Sequence, residues 1–161
     1  MWYEIKEEDH PAGVPSVLPS DRLPLISALY LLAATVGAAL AIREDLPGEF
    51  AGRTSGQSAS ADFFRGTGTA LSPGLAMLCA QSILTVLSTR GGRTGTASLA
   101  GLTLLGMGAT VGMLGEPIAY RVLSPKRFDP LKAVLVLALL LLPSSISVLG
   151  MKRLLAIRNR R

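Results

Sequence analysis

The sequence predicts an all-α integral membrane protein with four transmembrane helices in an antiparallel bundle, and two observations lead to that prediction. Four apolar runs, at about residues 23–42, 70–87, 97–118 and 133–151, each approach the ~20 residues that cross a ~30 Å hydrocarbon core. Only 17% of the 161 residues are charged, against about 25% in a soluble domain, and most of these charges lie outside the runs.

These runs divide the chain into three parts. A polar, acidic N-terminal tail occupies residues 1–22, the transmembrane domain residues 23–151, and a basic C-terminal tail residues 152–161. The predicted helices span about residues 23–42, 70–88, 96–118 and 130–151. The long connection at residues 43–69 is rich in Gly, Ser and Thr, which is typical of a flexible loop.

The first helix tolerates Pro24 because proline is accepted in a first helical turn. Its small residues Ala33, Gly37 and Ala41 recur every four positions, so they share one face. Such a stripe lets another helix backbone come close in lipid. We therefore expect this face to meet a second helix.

The second helix is the shortest. Ser72 and Pro73 have the order of an N-cap followed by proline at the first helical position. A helix from residue 73 to 88 would be about 24 Å long, so a full crossing requires an earlier start and a kink. Gln81 lies in mid-span, where a polar side chain either joins two helices by a hydrogen bond or contacts a ligand.

The third helix is predicted to be the central packing helix. It is uncharged up to Glu116, and most of its small residues fall on one face, with Gly106 opposite. The stripe comprises Ala97, Gly101, Gly108, Gly112, Gly115 and Ala119. Glycines weaken a helix in water by roughly 1 kcal/mol each, but in lipid they permit close packing. We expect Gly108 and Gly112 to face the stripe of the first helix.

Glu116 is the one acidic residue at the edge of an apolar run, and Pro117 directly after it predicts a kink or helix end. An ionisable group near a membrane is a candidate site by default. One hypothesis is an interfacial anchor that pairs with Arg121 or with a residue of the fourth helix and titrates near its ordinary value. The other is a proton- or cation-binding carboxylate. The fourth helix then begins at Asp129 and Pro130, a cap followed by proline.

The composition excludes several classes of function. His10 is the single histidine and Cys79 the single cysteine, so we expect no catalytic residues, no metal site and no cofactor. The net charge of +5 would suggest nucleic acid in a soluble domain. Here the basic residues flank the apolar runs, so anionic lipid headgroups at the basic C-terminal tail are the expected partner rather than nucleic acid.

Orientation and function follow from the same residues. Nine Lys and Arg lie on the side of the two termini and seven on the other, which favours cytoplasmic termini in a multi-pass cell membrane protein, as in a bacterial inner membrane. The sequence favours a structural or accessory subunit, an interaction protein that binds other membrane subunits or itself. The alternative is a small oligomeric transporter or channel with Glu116 as its proton or cation site.

Overall fold

The computed structural model describes residues 22–50, 53–54, 58–66, 68–125 and 128–159. The predicted acidic tail before Arg22 lies outside these residues. Six helices are described: α1 (Arg22–Arg43), α2 (Ala59–Arg65), α3 (Leu75–Ser88), α4 (Gly92–Gly115), α5 (Pro117–Leu123) and α6 (Pro130–Arg158). Two small antiparallel hairpins lie between α1 and α3: β1 (Glu49–Phe50) with β2 (Arg53–Thr54), and β3 (Gly68–Thr69) with β4 (Ser72–Pro73).

The all-helical prediction is therefore confirmed. Among the described residues, α1, α4 and α6 are long and apolar enough to cross a membrane, whereas α3 is a shorter apolar helix. Their outward faces carry exposed large apolar side chains: Leu25 is 62% exposed, Leu104 68% and Val134 67%. A soluble monomer rarely exposes apolar patches of that extent. These features are compatible with a membrane protein.

The segment before α3 differs from the prediction. Ser72 and Pro73 form the second strand of the β3–β4 hairpin, and α3 begins only at Leu75 after a Gly74 N-cap. The hairpin starts at Gly68, whose φ of +129° lies in the region that favours glycine. At its tip Leu71 is fully buried and its backbone packs against Gly37 of α1. Gly37 thus admits a hairpin where we had expected a helix.

The described part of the connection at residues 43–69 contains more regular structure than its composition predicts. Ser58 caps α2, and the buried carboxylate of Asp62 accepts a hydrogen bond from the Gly48 amide at 3.2 Å. The Ala59 amide donates to Asp45 at 3.0 Å. These two hydrogen bonds join the residues just after α1 to the start of α2, so α2 is held against the end of α1.

Helices α4 and α6 pack closely. A Cβ built on Gly106 would lie 2.7 Å from the carbonyl oxygen of Pro143 and 2.6 Å from Ser147 Oγ. The hydroxyl of Ser147 donates to the carbonyl of Thr103 at 3.2 Å, and Thr110 hydrogen-bonds Ser144 at 3.2 Å. The central helix therefore packs through Gly106, on the face opposite the predicted stripe.

The break at Pro117 and the start of the last helix agree with the sequence, but the short helix α5 lies partly where the sequence predicts a basic loop. Pro117 ends α4 at Gly115 and starts α5, while Asp129 caps α6 by accepting from the amides of Leu131 and Lys132. The end of α6 differs from the prediction, because the helix runs to Arg158 instead of stopping near residue 151. The basic residues Lys152, Arg153 and Arg158 thus belong to a helix.

Candidate functional site

A cavity of about 360 Å³ lies beneath the β3–β4 hairpin, enclosed by residues from α1, α3, α4 and α6. The hairpin and α4 supply most of its wall, and Tyr30, Met77, Leu139 and Glu116 complete it. Its volume falls within the range of small-molecule sites, 300 to about 1,000 Å³. The wall is mainly apolar, with a few polar groups.

The stripe glycines of α4 make this space. A Cβ built on Gly108 or on Gly112 would meet nothing within 4 Å, and both residues line the cavity. The expected contact of Gly108 and Gly112 with the Ala33, Gly37 and Ala41 face is therefore replaced by open volume. The physical reason is the β3–β4 hairpin, because the backbone of Leu71 already packs against Gly37 and keeps α4 away from that face of α1.

Tyr30 is a polar group of the cavity that no pattern in the sequence marks. It is 3% exposed, and its hydroxyl makes no hydrogen bond to the residues that the structure describes. Within that part of the chain, no fully buried side-chain oxygen or nitrogen lacks a partner. The unpaired hydroxyl of Tyr30 must therefore reach open space, and the space that Tyr30 lines is the cavity.

Glu116 lies at the other end, just after α4, and is half-buried. Its Oε2 accepts a hydrogen bond from the Glu49 amide at 3.0 Å. Burial raises the pKa of the Glu116 carboxyl, that hydrogen bond lowers it, and the charges of Glu49 and Asp62 raise it further. The net direction is upward, which departs from the ordinary pKa that the anchor hypothesis expects for Glu116.

The predicted partner of Glu116 is engaged elsewhere. Arg121 reaches Glu49, with 3.4 Å between Arg121 Nη2 and Glu49 Oε2. Lys132 pairs with Glu44 at 2.6 Å and with Asp129 at 3.6 Å. Among the described residues no Lys or Arg lies within ion-pair distance of Glu116. Within the described part of the chain, the carboxylate therefore has no counter-ion at salt-bridge distance.

A second, smaller cavity of about 70 Å³ adjoins the first and shares Ala70 and Glu116 with it. Its other lining residues include Glu49 and Arg121, and the Arg121 side chain is 59% exposed. Glu116 thus lies between the large apolar cavity and a smaller one beside the half-buried Glu49 and the exposed Arg121. This position gives the carboxylate access to both environments.

The remaining predicted site residues have structural contacts. Buried Gln81 donates to Ser27 Oγ at 2.8 Å, and Ser27 also hydrogen-bonds Thr85 at 2.6 Å, which joins α3 to α1. Gly101 packs against α3, since a Cβ built on it would lie 2.9 Å from Leu84 Cδ1. Ala41 is fully buried. Ala33 and Gly115 are half-buried on their helices.

Comparisons with family models, curated protein sequences and solved structures found no match to this chain. In the part of the chain that the structure describes, no group of three or more His, Cys, Asp or Glu side chains could hold a metal ion. The cavity, with Tyr30 at one end and Glu116 at the other, is therefore the candidate site.

Proposed function

We propose that this protein is a four-span membrane protein that binds an amphipathic small molecule in the cavity between α1, α3, α4 and the β3–β4 hairpin. The observation that carries the proposal is the unpaired hydroxyl of Tyr30, 97% buried yet open to an apolar space of about 360 Å³. A buried polar group without a partner costs free energy unless a ligand or water satisfies it. Binding, with no catalytic step, is the role that these groups support.

A fourth crossing of the membrane requires the β3–β4 hairpin in addition to α3. At 14 residues α3 is about 21 Å long, short of a ~30 Å core. The β3–β4 hairpin precedes it and inserts its tip, Leu71, against Gly37 of α1. Non-helical backbone is tolerated at membrane depth where protein buries it or where it lines a cavity. The hairpin does both, so hairpin and α3 together complete the span.

Entry from the bilayer follows from the position of Gly108. This residue is exposed, lines the cavity and lies on α4 between the exposed Leu104 and Val111. The missing side chain leaves a gap in an otherwise apolar outer surface. A hydrophobic molecule dissolved in the lipid could pass through this gap without crossing water, which favours an amphipathic ligand over a hydrophilic one.

A structural or accessory subunit of a membrane assembly is the second candidate. The exposed surface at Gly108 favours it, because a small residue on a lipid-facing helix lets another helix approach closely. In that case the gap at Gly108 would be filled by a partner helix or by a second copy of the chain. The two candidates predict different occupants of the same opening.

Photolabelling of the protein in lipid nanodiscs tests the proposal. A medium-chain alcohol that carries an aliphatic diazirine is the probe, and peptide mapping locates the label. We expect saturable labelling near Met77 and Met113, which line the cavity. Gly112→Leu should remove that labelling because its side chain projects into the open volume.

The control is Val111→Leu, which places the same leucine side chain on the exposed face of α4, away from the cavity lining. It should leave cavity labelling unchanged. Labelling that is non-saturable, or that spreads evenly over Leu104, Val111 and other lipid-facing positions, would show bulk partition into the bilayer and would contradict a binding site.

A further inference from the structure

The geometry points to an amphiphilic amine as the ligand: its ammonium group binds Glu116 and its apolar body extends along α4 toward Tyr30. This inference rests on the proposed function, because it names the chemical class that the same cavity takes. The charge at one end of the cavity and the apolar shape of the rest support the amine independently.

The charge observation concerns the end of the cavity at Glu116. Its carboxylate has no described Lys or Arg within ion-pair distance, because Arg121 is paired with Glu49 and Lys132 with Glu44. The charges that act on it from the packed elements are Glu49 of β1 and Asp62 of α2, and both disfavour its ionised form. Arg121 of α5 lines the adjoining small cavity, but its guanidinium is paired with Glu49. A half-buried acid in negative surroundings is complementary to a cation.

The second observation is the polar group at the far end. Gly108 of α4 and Glu116, the residue just after α4, both line the cavity, and at the helical rise they are about 12 Å apart along the axis. Tyr30 projects from the middle of α1, well away from the Arg43 end that neighbours the Glu116 region. Its hydroxyl is the unpaired, deeply buried group that a ligand could satisfy.

Between these two ends the wall is apolar or small. Ala109, Met113 and Leu139 line it together with the two open glycines of α4. Such a surface accepts a flexible hydrocarbon body, and methionine adapts to its shape. An amine with an alkyl or aryl body of that length therefore matches charge at one end and apolar volume along the rest.

The test uses a matched pair of photoreactive probes in nanodiscs: a diazirine-bearing alkylamine and the alcohol of equal chain length. An alkylamine is protonated at neutral pH, as lysine is, with a pKa of about 10.4. We expect the amine to half-saturate cavity labelling at a concentration about tenfold or more below that of the alcohol, as a charge-assisted hydrogen bond would provide.

Glu116→Gln is the decisive variant, because the amide oxygen can still accept from the Glu49 amide while the charge is removed. The preference for the amine should vanish in this variant, and labelling by the alcohol should stay unchanged. Glu44→Gln is the matched control, since Glu44 pairs with Lys132 and does not line the cavity. It should retain the preference.

The outcomes separate the two proposals. No saturable labelling by either probe overturns the proposed function. Equal labelling by amine and alcohol in the wild type, or a preference that survives Glu116→Gln, overturns the amine assignment alone. Repeating the assay in discs of phosphatidylcholine with and without phosphatidylethanolamine identifies the source of the amine: competition by phosphatidylethanolamine assigns the site to a lipid, and undiminished labelling assigns it to a freely diffusing amine.

Discussion

Gly106 of α4 lies directly against Pro143 of α6: a Cβ at Gly106 would be 2.7 Å from the Pro143 carbonyl oxygen. Gly112, on the same helix, faces open volume, with nothing within 4 Å of such an atom. Two glycines of the same helix therefore have opposite structural roles. Gly106 allows two backbones to meet, and Gly112 keeps a cavity empty.

Gly106→Leu should destabilise the bundle, because its side chain would collide with the α6 backbone and with Ser147. Overpacking of a closed interface costs about 1–3 kcal/mol, and backbone contact leaves little room to adapt. Gly112→Leu should leave the free energy of unfolding nearly unchanged. Thermal unfolding in detergent compares the two variants. A large loss of stability in Gly112→Leu with a mild effect of Gly106→Leu would contradict this assignment.

Gly37→Val should displace the β3–β4 hairpin, since a side chain at this position runs into the backbone of Leu71. The hairpin tip would leave α1, which would expose Leu71 and open the cavity. We expect a lower unfolding temperature together with faster labelling by thiol reagents of a cysteine placed at Ser72.

Gly108→Ala is the matched control for Gly37→Val. The added methyl group meets no atom within 4 Å, and alanine favours a helix over glycine by about 1 kcal/mol. It should therefore be neutral or stabilising. If Gly37→Val left both the unfolding temperature and the labelling rate unchanged, the contact between Gly37 and Leu71 would be absent.

The sequence predicted the long helices well, because apolar length and the cap-then-proline order at Asp129 are local signals. It also singled out Glu116 and Gln81, since polar residues in apolar runs are conspicuous. It failed where small residues were concerned. A glycine stripe has the same pattern whether a helix, a hairpin or a cavity lies against it, and only the tertiary contact of Leu71 with Gly37 decides which.

Tyr30 was missed for a related reason. An aromatic residue in an apolar helix resembles any core side chain, and nothing in its neighbours along the chain marks its hydroxyl as unpaired. The hairpin was missed because Ser72 and Pro73 fit a helix start as well as a strand. Local patterns therefore gave the frame of the fold but not the cavity.

Gln81→Leu should weaken the contact between α1 and α3. The Gln81 amide donates to Ser27 Oγ at 2.8 Å inside the bundle, and interhelical hydrogen bonds in membrane proteins contribute about 0.6 kcal/mol on average and up to about 1.7. A double-mutant cycle with Ser27→Ala, followed by unfolding in detergent, measures the coupling. A coupling energy near zero would mean that this hydrogen bond does not join the helices.

The two termini should lie on the same side of the membrane if the hairpin and α3 complete a fourth crossing. Fusions of a compartment-specific reporter to either end should then give the same signal, and the weak excess of basic residues favours the cytoplasmic one. A cysteine placed at Glu49 should be labelled from the opposite side. Opposite signals at the two termini would mean that α3 does not cross.

The stability of the protein should depend on the protonation of Glu116. Because burial and the nearby acids Glu49 and Asp62 raise its pKa in the folded state, the folded protein holds this proton at a pH where the unfolded chain has released it. Stability therefore falls as pH rises from the ordinary value, about 4.3, through the raised folded value, and the loss remains at higher pH. Glu116→Gln should abolish this part of the pH dependence.

Unfolding in detergent between about pH 4 and pH 8, wild type against Glu116→Gln, measures the effect across the relevant window. The two proteins should be closest in stability at the acidic end, and the variant should be relatively more stable at the neutral end. Infrared difference spectroscopy measures the protonation of Glu116 directly. In the wild type, the band of the protonated carboxyl should persist at pH values above the ordinary pKa, and Glu116→Gln should lack this band. A wild type that gains stability relative to the variant as pH rises would show that the Glu49 amide hydrogen bond outweighs burial, and Glu116 would then be an ionised anchor.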